Sequence, residues 1–189
     1  AKAERAHLYL MNRIKSLLAG VEGANDEMEL AVQQAADIYH GNFSLFQSLP
    51  DVWAIDQLHP IAPLHRLREN PTRRAVISDI TCDSDGKIDR FVLGDGVSKT
   101  LPVHELEATC DYYLGVFFIG AYQETLGDLH NLFGDTNVVT VELQDDGRFE
   151  LMHEQEGDTV AEVLTYVEYE PRRLVDGFKA IVERAVHEG

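Results

Sequence analysis

The feature that most limits the fold is a change of period at Arg74. From there to Gln155 the apolar residues come in short runs, "RAVISDI", "FVL", "YYLGVFFIG" and "NVVTVELQ", divided by clusters of glycine and aspartate. Short apolar runs bounded by turn residues read as strands. With no long helix between them, they predict an antiparallel sheet, barrel-like or sandwich-like. "LQDDGRFEL" reads as a hairpin, because Asp146-Gly147 suits the positive φ of a tight turn between alternating segments.

The flanks have a different period. Residues 1–19 read as a helix, with Leu10, Ile14 and Leu17 at helical spacing and Gly20 as its stop. Asn25 can cap a second helix whose apolar face is Met28, Val32, Ala35 and Tyr39, ending near Gly41. Between 42 and 67 the chain is rich in aromatics and prolines and reads as an irregular connection with one helical turn. An apolar connection needs cover, so it is expected on a domain surface or a partner. Asp158 is placed to cap a short helix, "TVAEVLTYV". Pro171 opens a last one, with Leu174, Phe178, Ile181, Val182 and Ala185 on one face. The class is therefore α+β, divided as a helical region 1–45, a β-domain 46–157 and helices 158–189.

Composition narrows the function classes. A hydrophobic fraction of 44% in 189 residues is enough for a real core. The net charge of −17 argues against a nucleic-acid surface, which needs a stripe of Lys and Arg. The longest apolar stretch, "YYLGVFFIGAY", falls short of the ~18 residues of a membrane span. No signal peptide is visible. Two cysteines make no disulfide framework, which points to a reducing compartment, the cytoplasm. The chain starts at Ala rather than Met and is expected to be a piece of something longer.

Several chemistries can be set aside. If Gly86 of "DSDG" were the sixth residue of a calcium loop, Thr81 and Val92 would stand where acids are required. The eight histidines are scattered, without zinc-site spacing to the cysteines. There is no Walker loop, no nucleophile elbow and no dinucleotide fingerprint. "LGDGV" at 93–97 reads as a turn. What remains is Thr-Cys-Asp, which occurs at 81–83 and at 109–111. The first lies at the end of an apolar strand, where a rigid sheet can place a reactive side chain. Cys82 is therefore the candidate, and Cys110 reads as a small buried hydrophobe. With Asp79, Asp83 and Asp85 beside it, Cys82 is expected to keep its proton and act as a donor rather than a nucleophile.

"NFSLFQSLPDVWAIDQLHPIAPLHRL", "RRAVISDITCDSDGKID", "YLGVFFIGAYQETLGDLHNLFGDTNVVTV" and "EGDTVAEVLTYV", in that order, resemble the C-terminal third of a biosynthetic arginine decarboxylase. That family has the alanine-racemase-like fold and uses pyridoxal phosphate. The resemblance implies decarboxylation of L-arginine to agmatine and CO2 on the route to polyamines. It implies magnesium, with no ligands to name, and a homo-oligomer whose active site joins a (β/α)8 barrel of one subunit to the β-domain of another. It assigns Cys82 as proton donor to Cα, Asp83 as the substrate-binding carboxylate and Tyr122 of "GAYQ" as a contact to the cofactor phosphate, with "HNLFGD" lining the same site. The residues before 45 would belong to an inserted helical region, and the last helix to a C-terminal extension. The barrel is missing, and none of Lys2, Lys15, Lys87, Lys99 and Lys179 stands in a Schiff-base context, so this chain alone is expected to be inactive. The competing readings are a related decarboxylase acting on ornithine, diaminopimelate or carboxynorspermidine, and a non-catalytic assembly module associating through residues 43–64.

Overall fold

In the computed structural model, residues 9, 10, 13, 17, 35–94 and 96–188 are described. Tyr9, Leu10, Arg13 and Leu17 are helical, and Leu10 and Leu17 are exposed. The remainder of the expected first helix, and residues 25–34 of the second, lie outside the described residues. The chain forms two units, 1–127 and 128–189.

The first unit is organised by β3 (Arg73–Ser78), in which Ala75 and Ile77 face the core while their neighbours are half-buried. Beside it run β1 (Asp37–His40), β4 (Lys87–Ile88) and β7 (Leu101–Val103). β7 and β4 pair antiparallel with successive parts of β3, through Arg73–Ala75 and Ile77–Ser78 respectively. Pro102 in β7 has no N–H to give, which is tolerated because β7 is an edge strand whose ladder is with β3. β1 corrects two expectations. Residues 37–40 form a strand rather than the end of a helix, and that strand runs parallel to β3, with Asp37 opposite Ala75 and His40 opposite Ser78. Tertiary pairing overrides the helical spacing here, and the Tyr39 hydroxyl donates to the His104 carbonyl at 2.7 Å.

The proline-rich stretch is also more ordered than its composition suggests. It holds helices α1 (Leu45–Ser48) and α2 (Pro50–Ala54) and strand β2 (Ile61–Pro63). Ser44 caps α1 by accepting from Gln47 N, and Pro50 opens α2, where its missing N–H costs nothing. Much of this segment is core, not a covered loop. Leu45, Phe46, Leu49 and Ile61 are all buried, and Phe46 meets Trp53 edge-on at 5.3 Å. Leu45, Leu49 and Ile61 join Ala75, Ile77, Ile88, Phe91, Leu101 and Val103 in one cluster.

β2 pairs antiparallel with β8 (Leu114–Val116), and β5 (Phe91–Leu93) with β6 (Gly96–Ser98). The turn expected at 93–97 is therefore present, with Gly94 at φ +53. The long apolar run at 112–120 gives only three strand residues, because Phe118 takes a left-handed φ of 60 and leaves the ladder. The chain then enters α3 (Tyr122–Leu126). Among the described residues the strands form four small sheets and no closed barrel. The fold is α+β, as the sequence indicates, with one parallel pair.

In the second unit, β9 (Val138–Leu143) and β10 (Phe149–Gln155) form the expected hairpin. Gly147 is at φ +83, and its N–H reaches the Gln144 carbonyl at 2.9 Å, so the turn spans three residues rather than two. Helices α4 (Val160–Tyr166) and α5 (Pro171–Glu188) follow. The cap of α4 is Thr159, not Asp158. Thr159 and Glu162 form a reciprocal capping box, in which Thr159 N–H donates to Glu162 Oε2 at 2.7 Å. Asp158 instead accepts from Asp135 N–H at 2.9 Å, while its own N–H donates to the Asp135 carbonyl. No helix among the described residues is long and apolar enough to cross a membrane.

Candidate functional site

Cys82 and Asp83 lie in the loop that joins β3 to β4. The ladder between those strands closes with Asp79 N–H donating to the Gly86 carbonyl at 2.8 Å. Within the loop, Asp83 Oδ1 accepts from Asp85 N–H at 3.0 Å, and Gly86 N–H donates to the Asp83 carbonyl at 3.2 Å. These bonds turn the chain immediately after Cys82. In a straight strand the side chains of Cys82 and Asp83 would point oppositely. Both are exposed.

The four acids of "DITCDSDGKID" do not act as one patch. Asp79 is turned inward and is only 3% exposed. Its Oδ2 accepts from Leu45 N–H at the start of α1 (2.8 Å). Its Oδ1 accepts from Thr81 N–H (3.0 Å) and from the Thr81 hydroxyl (2.8 Å). Asp83 and Asp85 stay on the solvent side, and Asp89 pairs with Lys87 at 3.0 Å. Only part of the negative charge read from the sequence therefore faces outward with Cys82.

Gly86 is required for space, not for backbone conformation. Its φ is not left-handed, but a Cβ there would collide with the Asp79 carboxylate. Gly86→Ala should therefore destabilise by about 1–3 kcal/mol, the usual cost of overpacking. Gly96→Ala, where a Cβ would meet nothing within 4 Å, should cost little. Urea unfolding of the two variants checks this.

Tyr122 opens α3 and is 75% exposed. The same pair of short helices supports both candidate segments. Asp79 ties the Cys82 loop to the start of α1, and Gly127 at the end of α3 packs against the Gln47 carbonyl of α1. Asp51 N–H of α2 also donates to the side chain of buried Gln123, at 3.5 Å. The structure thus anchors Cys82, Asp83 and Tyr122 on one frame and does not enclose them in one cavity. A cavity of about 290 Å³ lies beside the loop, lined by Trp53, Asp56, Asp85, Lys87, Asp89 and Arg90 among others, and by none of the three candidates. Its charges are largely matched internally, through Lys87–Asp89 and Arg90–Asp56 (3.5 Å).

Cys110 is not buried as its reading required. It is exposed in a turn where its N–H donates to the Glu107 carbonyl at 3.2 Å, between residues that are themselves exposed. Exposure does not separate the two thiols, but anchoring does, since only the Cys82 loop is tied to a buried carboxylate. "HNLFGD" lies in the second unit, where Asn131 and Leu132 both adopt left-handed φ, 59 and 63. Consecutive non-glycine residues in that region are uncommon. Gly134 packs against Asp158 and Val163 so closely that a Cβ would collide with both. Among the described residues no group of three or more His, Cys, Asp or Glu is arranged to hold a metal.

With this fold, comparison with known proteins is informative. The family described as the arginine decarboxylase C-terminal helical extension matches residues 160–189. Biosynthetic arginine decarboxylases are similar along the whole chain. That of Rhodopirellula baltica is 50% identical over 187 residues, covering 99% of this chain and 28% of the relative. That of Phocaeicola vulgatus is 50% identical over 189 residues, covering 100% and 30%. The crystal structure of the biosynthetic arginine decarboxylase of Campylobacter jejuni superposes with a TM-score of 0.67 at 35% identity, covering 82% of this chain and 27% of that one. The α+β fold is thus one found in a portion of a larger decarboxylase. Along its whole length the chain is similar to a portion of biosynthetic arginine decarboxylases, and its last residues match the C-terminal helical extension of that family. It spans less than a third of the length of these relatives.

Proposed function

We propose that the chain is part of a pyridoxal-phosphate-dependent decarboxylase that converts L-arginine to agmatine and CO2, and that it supplies one side of an active site completed by a barrel of a partner subunit. The observation that carries this reading is identity of about half over essentially the whole chain to biosynthetic arginine decarboxylases. Exposure supports the shared site. Phe117, Phe118, Ile119 and Tyr122, close in sequence, are all exposed, with Phe118 at 88%, and apolar side chains left open in this way are suited to cover by another polypeptide.

The side chains of this chain fit one peripheral contact with the cofactor. Tyr122 offers an exposed phenol to a phosphate oxygen, and Gly120 beside it leaves open space, since a Cβ there would meet nothing within 4 Å. Lys87, the lysine nearest Cys82 in sequence, pairs with Asp89 at 3.0 Å, and the Schiff-base lysine is taken to come from the barrel. Pyridoxal phosphate, when bound, supplies an electron sink for the bond broken as CO2 leaves.

The residues here carry the rest of the chemistry. Loss of CO2 leaves an electron pair on Cα, and the Cys82 thiol donates a proton to that carbon. Asp83 takes the guanidinium through parallel charge-assisted hydrogen bonds, a geometry to which guanidinium is suited and ammonium is not. Magnesium is proposed without ligands in this chain.

The test is CO2 release by the full-length protein, supplied with pyridoxal phosphate and magnesium, from arginine, ornithine, lysine and diaminopimelate in turn. Arginine should be preferred by at least tenfold in kcat/KM, the discrimination of about one charge-assisted contact. Preference for any of the other three would overturn the substrate assignment.

A further inference from the structure

We propose that Asp79 is a positioning residue, which holds Cys82 and Asp83 in place through Thr81. The inference rests on the reading of Cys82 and Asp83 as site residues. The resemblance assigns roles to those two, but no role to Asp79 or Thr81.

The argument is a continuous chain of hydrogen bonds. Leu45 N–H, at the first turn of α1, donates to Asp79 Oδ2 at 2.8 Å. The Thr81 hydroxyl donates to Asp79 Oδ1 at 2.8 Å and accepts from Asp83 N–H at 3.4 Å. Thr81 N–H donates to the same Oδ1 at 3.0 Å. Cys82 lies between Thr81 and Asp83, so the residues on both sides of it are tied to one buried carboxylate. The base of that carboxylate is fixed as well. Its backbone N–H holds Gly86 at the far end of the loop, Gly86 packs against its side chain, and the adjacent Ile80 N–H donates to the Phe43 carbonyl at 3.2 Å.

Charge explains why an acid stands here. Among the described residues the side chain of Asp79 accepts from three donors: Leu45 N–H, Thr81 N–H and the Thr81 hydroxyl. A carboxylate can take all three, because it has acceptor capacity on both oxygens. An amide in its place keeps one acceptor oxygen and turns an NH2 toward a donor. The loop would then lose either its tie to α1 or its tie to Thr81.

A proton donor must stand within hydrogen-bond reach of the atom it protonates, and misplacement by about 1 Å can cost a hundredfold. The experiment uses the full-length enzyme with Asp79→Asn, Thr81→Val, Thr81→Ser and Cys82→Ala. It records kcat, KM, melting temperature and the proportion of turnovers that end in 4-guanidinobutanal instead of agmatine. That aldehyde forms when the proton goes to the cofactor instead of Cα, water supplies the carbonyl oxygen and the amino group leaves Cα to stay with the cofactor. Loss of stability alone does not change this ratio.

Asp79→Asn and Thr81→Val should lower kcat by roughly ten- to a hundredfold and raise the aldehyde fraction. Thr81→Ser, which keeps the hydroxyl, should restore both to within about twofold of the parent. If Asp79→Asn does not fold, Thr81→Val tests the same link from a half-buried position outside the core. Variants that melt earlier but keep kcat and product ratio would overturn the positioning role, as would Thr81→Ser behaving like Thr81→Val. Cys82→Ala separates the two levels. If it leaves kcat and product ratio unchanged, the underlying site reading fails. If it disturbs both while Asp79→Asn and Thr81→Val do not, only the positioning inference fails.

Discussion

Cys82→Ala in the full-length enzyme is expected to lower kcat by roughly 10²–10⁴-fold, the range typical of a lost general acid. Binding of pyridoxal phosphate should be nearly unchanged, because Cys82 is not assigned to hold it. The methyl group of alanine cannot donate a proton, and no other thiol shares the loop, since Cys110 lies in a separate turn. Protonation of Cα then depends on water. Agmatine formation slows and the aldehyde product rises. The substitution should barely affect folding. Cys82 is exposed, and Asp79, Thr81, Asp83 and Gly86, which hold the loop by hydrogen bonds, are all kept in this variant. A large loss of turnover at an unchanged melting temperature is therefore the expected pair of observations. Turnover kinetics and thermal melting measure the pair, and the cofactor absorbance spectrum checks that pyridoxal phosphate still binds. Unchanged turnover would return Cys82 to the role of a surface thiol.

What the sequence disclosed follows from which signals are local. The hairpin at 138–155 was legible because Gly147 needs a positive φ that its neighbours avoid. β3 was legible because Ala75 and Ile77 alternate with residues that face away. β1 was not, because its four residues continue a helical spacing and its strand state depends on β3 from much later in the chain. The short helices at 45–54 were obscured by prolines, although Pro50 at a helix start is permitted and Ser44 carries a capping signal.

The site was half legible in the same sense. "TCDSDG" gives the reactive residue types, but a string of acids does not say which of them faces inward. One available signal was overlooked. Asp79 extends the Ala75, Ile77 alternation by two residues and so falls on the buried side, where an acid needs hydrogen-bond donors. Those donors come from Thr81, which is local, and from Leu45, which is not. Periodicity could have placed Asp79 inside, but only the fold shows that α1 receives it. The exposure of Cys110 was not predictable from its apolar character, because it is set by a turn in which neighbouring residues point to solvent.

Asp83→Asn should lower kcat/KM for arginine by roughly ten- to a hundredfold. A charge-assisted hydrogen bond contributes about 1.5–3 kcal/mol, and each ~1.4 kcal/mol is a factor of ten. The substitution keeps the turn bond and removes the charge. Asp83 Oδ1 accepts from Asp85 N–H at 3.0 Å, and the amide oxygen of asparagine can accept the same bond, so the turn is kept while the charge is removed. The loss should fall on the cationic substrate and spare citrulline, a neutral isostere, tested as an inhibitor in parallel. Asp85→Asn is the control. Asp85 lines the neighbouring cavity, and its contribution to the loop is through its backbone, since its N–H donates to Asp83 and its carbonyl accepts from Lys87 N–H at 2.7 Å. That variant should retain activity within about threefold, the modest effect expected of an exposed charge. If arginine and citrulline weaken alike, or if Asp85→Asn does as much harm as Asp83→Asn, the aspartates serve only to shape the turn, and the guanidinium is bound elsewhere.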